Sequence, residues 1–207
     1  ALTQGDGNTA FGWNALAAVQ AGHANVGIGQ SAGDALDGGS GNVFVGQHAG
    51  GATTAASYTV CIGTNAGDDA MTTAANGTVA IGYQALTSLT TGDKNIAIGQ
   101  EAGKLITDGV RNIAIGHQAL RDAAGTMDDN IAIGRGAMQN AENDACHNNI
   151  AIGSYTLDAA VDHDTNNNVC IGHNTGTEML ATNSNTLIGS YAGDGVTTGG
   201  DNTCLGY

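Results

Sequence analysis

The chain alternates a short apolar run with a longer polar stretch, and it does so twelve times. Every apolar run ends in a glycine, here called the repeat glycine, and the clean copies read Asn-Ile-Ala-Ile-Gly, as in residues 95–99 and 112–116. Successive repeat glycines are 17 to 19 residues apart. A period of this length predicts a solenoid in which each repeat forms one coil stacked on the last. The repeat glycines are Gly12, Gly29, Gly46, Gly63, Gly82, Gly99, Gly116, Gly134, Gly153, Gly172, Gly189 and Gly206.

The apolar run itself has the two-residue period of a β-strand. The residues three and one before the repeat glycine are almost all β-branched and apolar, as in Ile96 with Ile98 and Ile113 with Ile115. They share one face of a short strand, and we expect them to form two aliphatic ladders inside the solenoid. The residue between them, such as Ala97, is polar in none of the twelve copies. This second face is therefore expected to be covered as well, by a partner chain or by a loop of the same chain.

Two further positions are nearly constant and are interpreted as structural. The residue four before the repeat glycine is Asn in ten of the twelve copies, with Thr59 and Thr78 as the replacements. Stacked asparagines can hydrogen-bond along a column as an amide ladder. The repeat glycine is expected to have a positive φ or to permit close contact between coils. The clean copies pair Asn95 with Gly99 and Asn112 with Gly116.

A third pattern concerns the bulk of the core. The fourth residue after the repeat glycine is either Gly or a large aliphatic residue such as Leu86. Where it is Gly33 or Gly103, a large aliphatic follows three residues later, as Leu36 or Ile106. This predicts one bulky residue per coil and a thin core of nearly constant volume between two strand layers.

Composition and charge exclude several classes of protein. Only 12% of the 207 residues are charged, 4% are aromatic, and the net charge is −14. An acidic chain lacks the clustered Lys and Arg that bind nucleic acid or an anionic membrane surface. No apolar stretch approaches the ~20 residues of a membrane span, so no membrane insertion is expected of this segment. The continuous repeat favours one solenoid domain over residues 1–207. The first and last repeats are incomplete, so we expect this domain to be a segment of a longer fibre protein.

Candidate catalytic and metal-binding chemistry is sparse. Cys61, Cys170 and Cys204 occupy one repeat position and are interpreted as small apolar fillers, because coils ~4.8 Å apart keep them beyond disulfide distance. Cys146 falls in a connecting loop. The run 162–164, Asp-His-Asp, could bind a metal ion, but a solvated loop is the favoured interpretation. We expect no catalytic residue, no cofactor and no metal site, and therefore not an enzyme.

The two positions after the repeat glycine are the variable columns inside an otherwise constant phrase. They carry aromatic, imidazole and amide side chains, which are common in surfaces that contact carbohydrate or protein. The alternative is that these are turn residues free to vary. The candidate contact stripe consists of Trp13, His48, Tyr83, His117, Arg135, Tyr155, His173 and Tyr191.

The phrase Asn-Ile-Ala-Ile-Gly, at 95–99, 112–116, 130–134 and 149–153, resembles the head repeats of YadA-like trimeric autotransporter adhesins and repeat regions of bacteriophage tail fibres. The resemblance implies a left-handed parallel β-roll, three chains packed side by side, and attachment to a host surface. The adhesin repeat is shorter than the present one. We therefore expect an all-β parallel β-solenoid of about twelve coils, extracellular on a virion or cell surface, that binds itself as a trimer and a glycan or protein receptor.

Other functions are also open. Residues 98–103, Ile-Gly-Gln-Glu-Ala-Gly, resemble the hexapeptide phrase of left-handed β-helix acyltransferases, although the phrase occurs once per coil and not three times. A subunit of an extracellular filament, stacked end to end, is the main alternative. An ice-binding solenoid is less favoured, because the threonines form no regular outward column.

Overall fold

A computed structural model describes residues 5–124, 127–141, 146–158, 165–180 and 182–207. Twelve three-residue strands form one parallel sheet, and their order in the sheet is their order in the chain. The predicted all-β parallel solenoid, with one repeat per coil, is confirmed. The only helix in the described ranges is a 3-10 turn at Thr73–Ala75. The strands are β1 (Thr9–Phe11), β2 (Val26–Ile28), β3 (Val43–Val45), β4 (Val60–Ile62), β5 (Val79–Ile81), β6 (Ile96–Ile98), β7 (Ile113–Ile115), β8 (Ile131–Ile133), β9 (Ile150–Ile152), β10 (Val169–Ile171), β11 (Thr186–Ile188) and β12 (Thr203–Leu205).

Each strand pairs with the next one in register, so equivalent residues of successive repeats lie in columns along the solenoid. Between β6 and β7, Ile96 pairs with Ile113 and Ala97 with Ala114. The backbone N–H of Ile96 donates to the carbonyl of Asn112 at 2.8 Å, and equivalent bonds recur along the sheet. The repeat period of the sequence is therefore the axial period of the fold.

The residues of each strand that face the core are the opposite of those predicted. The middle residue of each inner strand faces the core, and Ala97 is only 1% exposed. The flanking aliphatics face outward, and Ile98 is 37% exposed. The prediction that the isoleucine ladders lie inside is therefore wrong, and the middle column needs no partner chain to cover it. The physical reason is space, because the interior between the strand and the facing turn admits small residues such as Ala97 in most coils.

The wall opposite the sheet is also not what was expected. Within the described residues it is built of stacked turns and not of a second strand layer. The second and fourth residues after the repeat glycine have φ near +50 to +60°, as in Ser31 and Gly33. Their backbone N–H groups then point along the axis in opposite directions. Ser31 N donates to Trp13 O at 2.9 Å and Gly33 N donates to Ala49 O at 2.9 Å. The turns are thereby hydrogen-bonded to both neighbouring coils, much as strands would be.

The repeat glycine is required for two separate reasons. Gly99 has a φ of 137°, a conformation that residues with a Cβ rarely adopt. A Cβ at Gly99 would also lie 2.4 Å from the carbonyl oxygen of Gly116 in the next coil. Both expectations for this position, positive φ and close contact between coils, are confirmed.

The asparagine column forms the predicted amide ladder in the core. Asn112 donates from its backbone N and its Nδ2 to Oδ1 of Asn95, at 2.9 and 3.1 Å. The same Nδ2 also donates to the carbonyl of Met127 at 2.6 Å, in the connection that leads into the next strand. Asn95 and Asn112 are each 1% exposed. The ladder is altered at the threonine copies, where the buried hydroxyl of Thr78 has no hydrogen-bond partner.

A second ladder, two residues before the asparagine column, was not anticipated from the sequence. There a backbone N–H donates to a side-chain acceptor in the next coil. Ser40 N donates to Ser57 Oγ at 3.0 Å, and Asp128 N donates to His147 Nδ1 at 3.1 Å. His147 N in turn donates to Asn166 Oδ1 at 2.7 Å. Ser, Asn and His share only an acceptor atom, so no single residue type marks this column.

The core is kept at constant volume by exchange between neighbouring positions. Phe44 is the large inward residue of β3, and a Cβ at Gly33 or Gly50 would lie 2.5 Å from its ring. Conversely, Gly27 leaves room for Leu16, whose Cγ lies 2.7 Å from the position of a Cβ at Gly27. The predicted exchange of bulk between positions is confirmed, but the limit of one bulky residue per coil is wrong, because Leu86 and Leu89 of one coil are both fully buried. The inner strand position is a third place from which that bulk is supplied.

We predict that Thr78→Asn stabilises the protein by about 1 kcal/mol, because the new amide satisfies a buried hydrogen-bonding position. Asn112→Thr should cost about 1–3 kcal/mol, since it removes bonds to Asn95, Asn130 and Met127. Urea unfolding monitored by circular dichroism measures both changes. An unchanged or lower midpoint for Thr78→Asn would contradict the ladder as a source of stability.

We also predict that Phe44 and Gly50 are energetically coupled. Phe44→Ala should cost about 3–5 kcal/mol by leaving a cavity, and Gly50→Leu alone should overpack the core by about 1–3 kcal/mol. The double variant reproduces the pair Ala80 and Leu86 found two coils further on, and it should be more stable than either single variant. A double-mutant cycle in urea tests this. If the losses in unfolding free energy of the two single variants simply add in the double variant, Phe44 and Gly50 do not compete for the same space in the core.

Candidate functional site

The outward side chains of the sheet form a continuous apolar surface. We call it the aliphatic face; it consists of the first and third residues of β1 to β12. Of these residues only Thr9, Thr186 and Thr203 are polar, and none is charged. The exposed fraction of the third residue is 39% at Ile28 and 40% at Ile188. The aliphatic face therefore offers two parallel columns of half-exposed side chains along the whole sheet.

The partial burial of these columns comes from stacking. In the first and last rungs, Phe11 is 76% and Leu205 is 72% exposed, about twice the fraction of Ile28 and Ile98 inside the stack. Each inner side chain is covered by its equivalents in the coils before and after it, which β-branched residues in register do well. The outer half of each side chain remains uncovered by the described residues.

The candidate contact stripe lies on the turns that follow the strands. Trp13 is 72% and Tyr83 is 48% exposed, and Arg135 and His173 are also exposed. His48, His117 and Tyr155 are half-buried. The Nδ1 atom of His117 is enclosed without a hydrogen-bond partner.

Two pairs of these residues are in direct contact. The guanidinium carbon of Arg135 lies 5.4 Å from the ring centroid of Tyr155, within cation–π range. The rings of His173 and Tyr191 meet edge to face with centroids 5.5 Å apart. Tyr191 continues to Tyr207 at 5.8 Å. The stripe thus contains two local clusters towards its C-terminal end, while its role in contacts remains a prediction.

A charged cavity of about 280 Å³ opens where two connections stack, and the sequence analysis missed it. Glu101, Lys104, Leu105, Arg121 and Asp122 line this cavity, here called the charged cavity. Lys104 and Arg121 each stand five residues after their repeat glycine, so the stack places them in one column. That coincidence of two cations in consecutive repeats was the available signal in a chain with five Lys and Arg residues.

The charges in this cavity are arranged as two ion pairs. Lys104 Nζ lies 3.6 Å from Glu101 Oε1, and Arg121 Nε donates to Asp122 Oδ1 at 2.8 Å. Gln118 donates to Glu101 Oε2 at 2.9 Å. This hydrogen bond, with the charges of Lys104 and Arg121, lowers the pKa of Glu101 and keeps the carboxylate ionised at neutral pH.

The cysteines of the middle column are small apolar fillers, as predicted, but the structure places their column in the core and not on a face that needs a partner. Cys61 and Cys170 are fully buried, and Cys170 Sγ lies 3.9 Å from Met179 Sδ. Burial raises the pKa of both thiols to about 12. Cys204, in β12, is half-buried, and Cys146 is buried in its connection.

Neither a metal site nor a membrane span is found in the described part of the chain. There, no group of three or more His, Cys, Asp or Glu side chains is placed to hold a metal ion. No helix in those ranges is long and apolar enough to cross a membrane. The Asp-His-Asp run at 162–164 lies outside the described residues.

The chain matches no family model, no curated protein and no solved structure. The resemblance to adhesin heads and tail fibres therefore rests on the repeated phrase alone.

We predict that Cys61 and Cys170 resist alkylation at pH 8, because thiols with a pKa of about 12 are almost entirely protonated there. Cys204 should be modified much faster because it is only half-buried. Peptide mass spectrometry after timed iodoacetamide treatment measures each residue separately. Rapid alkylation of Cys61 in the folded protein would contradict the buried inner column, and urea-unfolded protein provides the control.

Proposed function

We propose that this chain is a non-enzymatic segment of an extracellular fibre on a virion or cell surface. It acts as a rigid rod that associates with copies of itself and presents a contact stripe to a glycan or protein receptor. The observation that carries the proposal is the aliphatic face, an uncharged surface that runs the full length of the sheet. The repeated phrase, with its resemblance to adhesin and tail-fibre repeats, supports the same function.

The size of the aliphatic face favours self-association. Twelve rungs spaced at ~4.8 Å span ~55 Å, and two columns are about 10 Å wide, so the face covers on the order of 500 Å². That is at the upper end of the apolar patches found on monomers, roughly 300–600 Å². With the flanking turns it approaches the ~800 Å² per partner of a specific interface. A second copy has the same axial spacing, so its side chains can interdigitate along the whole face.

The number of copies in such an assembly follows from the resemblance and not from the geometry. Three chains side by side would bring three aliphatic faces to a common axis. The contact stripe lies on the turns directly after the strands and would flank that axis. Trp13, Tyr83 and Arg135, which packs on the half-buried Tyr155, are the exposed side chains best suited to receptor contact.

A filament built end to end is the second candidate. It is favoured by the outermost strands, since β1 pairs only with β2 and β12 only with β11 among the described strands. A parallel strand edge with free N–H and C=O groups is a template for another strand. Such a filament would extend the asparagine ladder from one copy to the next.

We predict that the purified protein forms a discrete oligomer and that Ile98→Glu with Ile133→Glu converts it to a monomer. Charges on the aliphatic face would be desolvated in the assembly, which weakens association strongly. Light scattering and analytical ultracentrifugation measure the mass. The matched control is Thr91→Glu with Thr107→Glu, which adds the same charge in the connections. A monomeric wild type contradicts lateral association, and long uniform threads by electron microscopy support the filament instead.

A further inference from the structure

We propose that the charged cavity binds one ring of a neutral, hydroxyl-rich sugar. This inference names the ligand class for the proposed receptor contact and rests on that function. The cavity differs from the contact stripe predicted from the sequence. It lies further along the connections, between Glu101 and Asp122.

The charge balance of the cavity selects a neutral ligand. Glu101 and Asp122 offset Lys104 and Arg121, so the four side chains sum to zero. A charged ligand would add an uncompensated charge to a site whose own charges are already balanced. A hydroxyl group can instead accept from one member of a pair and donate to the other, because each O–H is both donor and acceptor.

Hydrogen-bonding capacity remains after the internal contacts are counted. Arg121 uses Nε and Nη2 on the carboxylate of Asp122, which leaves Nη1 to donate. Lys104 has three N–H protons and one contact, to Glu101 at 3.6 Å. Each carboxylate oxygen has two lone pairs, so Glu101 and Asp122 can still accept. Both donors and acceptors therefore remain available to a ligand in the cavity.

The apolar part and the size of the cavity fit a single sugar ring. Leu105 is 39% exposed in the cavity, and it offers a surface for the C–H face of a pyranose. The volume of about 280 Å³ lies just below the range of drug-sized pockets, roughly 300–1,000 Å³. The cavity walls come from adjacent coils joined by the bond from Leu105 N to Arg121 O at 3.0 Å, so the site is preformed.

The test is saturation-transfer NMR on the whole chain with methyl hexosides of glucose, galactose and mannose, the free hexoses, and glucuronate. A ligand of about twelve non-hydrogen atoms is expected to bind with a Kd on the order of millimolar. Lys104→Met keeps the aliphatic stem and removes the donors, and it should weaken binding about tenfold. The control, Lys94→Met, removes an exposed lysine paired with Asp93 elsewhere and should leave binding unchanged.

Three outcomes would overturn the proposal: no signal from any neutral hexose at tens of millimolar, equal weakening by both lysine variants, or tighter binding of glucuronate than of every neutral sugar. Binding of methyl hexosides supports recognition of a glycan end, whereas binding of free hexoses alone assigns the cavity to a free sugar. Leu105→Ser is a second variant, expected to weaken binding if Lys104→Met does not fold. Oligomeric mass is measured separately, so failure here is distinguishable from failure of the fibre proposal.

Discussion

The narrow space between the strand and the turn of each coil is the constraint on which the rest of the structure depends. It allows only small residues on the inner face in most repeats, such as Ala97 and Cys170. Where a larger residue occupies that position, a neighbouring position must carry a smaller one. Phe44 is accommodated because Gly33 and Gly50 lack a Cβ at its ring.

Because the interior is so thin, the chain cannot also enclose the large aliphatic residues that flank the middle residue of each strand. They lie outside, where stacking on their equivalents covers about half of each side chain. The fold is therefore held by three kinds of axial contact: backbone hydrogen bonds in the sheet and turns, the asparagine ladder in the core, and side-chain stacking on the aliphatic face. Function follows from the same geometry, since any group repeated at one position becomes a continuous stripe, and any pair of groups in consecutive repeats becomes a local cluster.

The sequence predicted the period, the strand positions and the chemistry of the columns, because each is repeated many times. It misassigned the inward side of the strand, since a two-residue period separates two faces without saying which is enclosed. Ile98 was placed inside because large aliphatics usually are. The charged cavity and the column containing Ser57 and His147 escaped notice because neither is marked by one recurrent residue type. Both features are formed by different residue types in neighbouring coils, and these residues are brought together only when the coils stack.

The orientation of the hydrogen bonds has a mechanical consequence. In the sheet and in the stacked turns, bonds such as those from Ile96 to Asn112 and from Gly33 to Ala49 run along the rod. A pulling force along that direction loads successive coils in series, so the rod can open one coil at a time from an end. If neighbouring rods pack against one another through Ile98 and its equivalents, the same force loads the contacts between the rods in shear, over many rungs at once. A bundle would withstand tension that a lone rod would not.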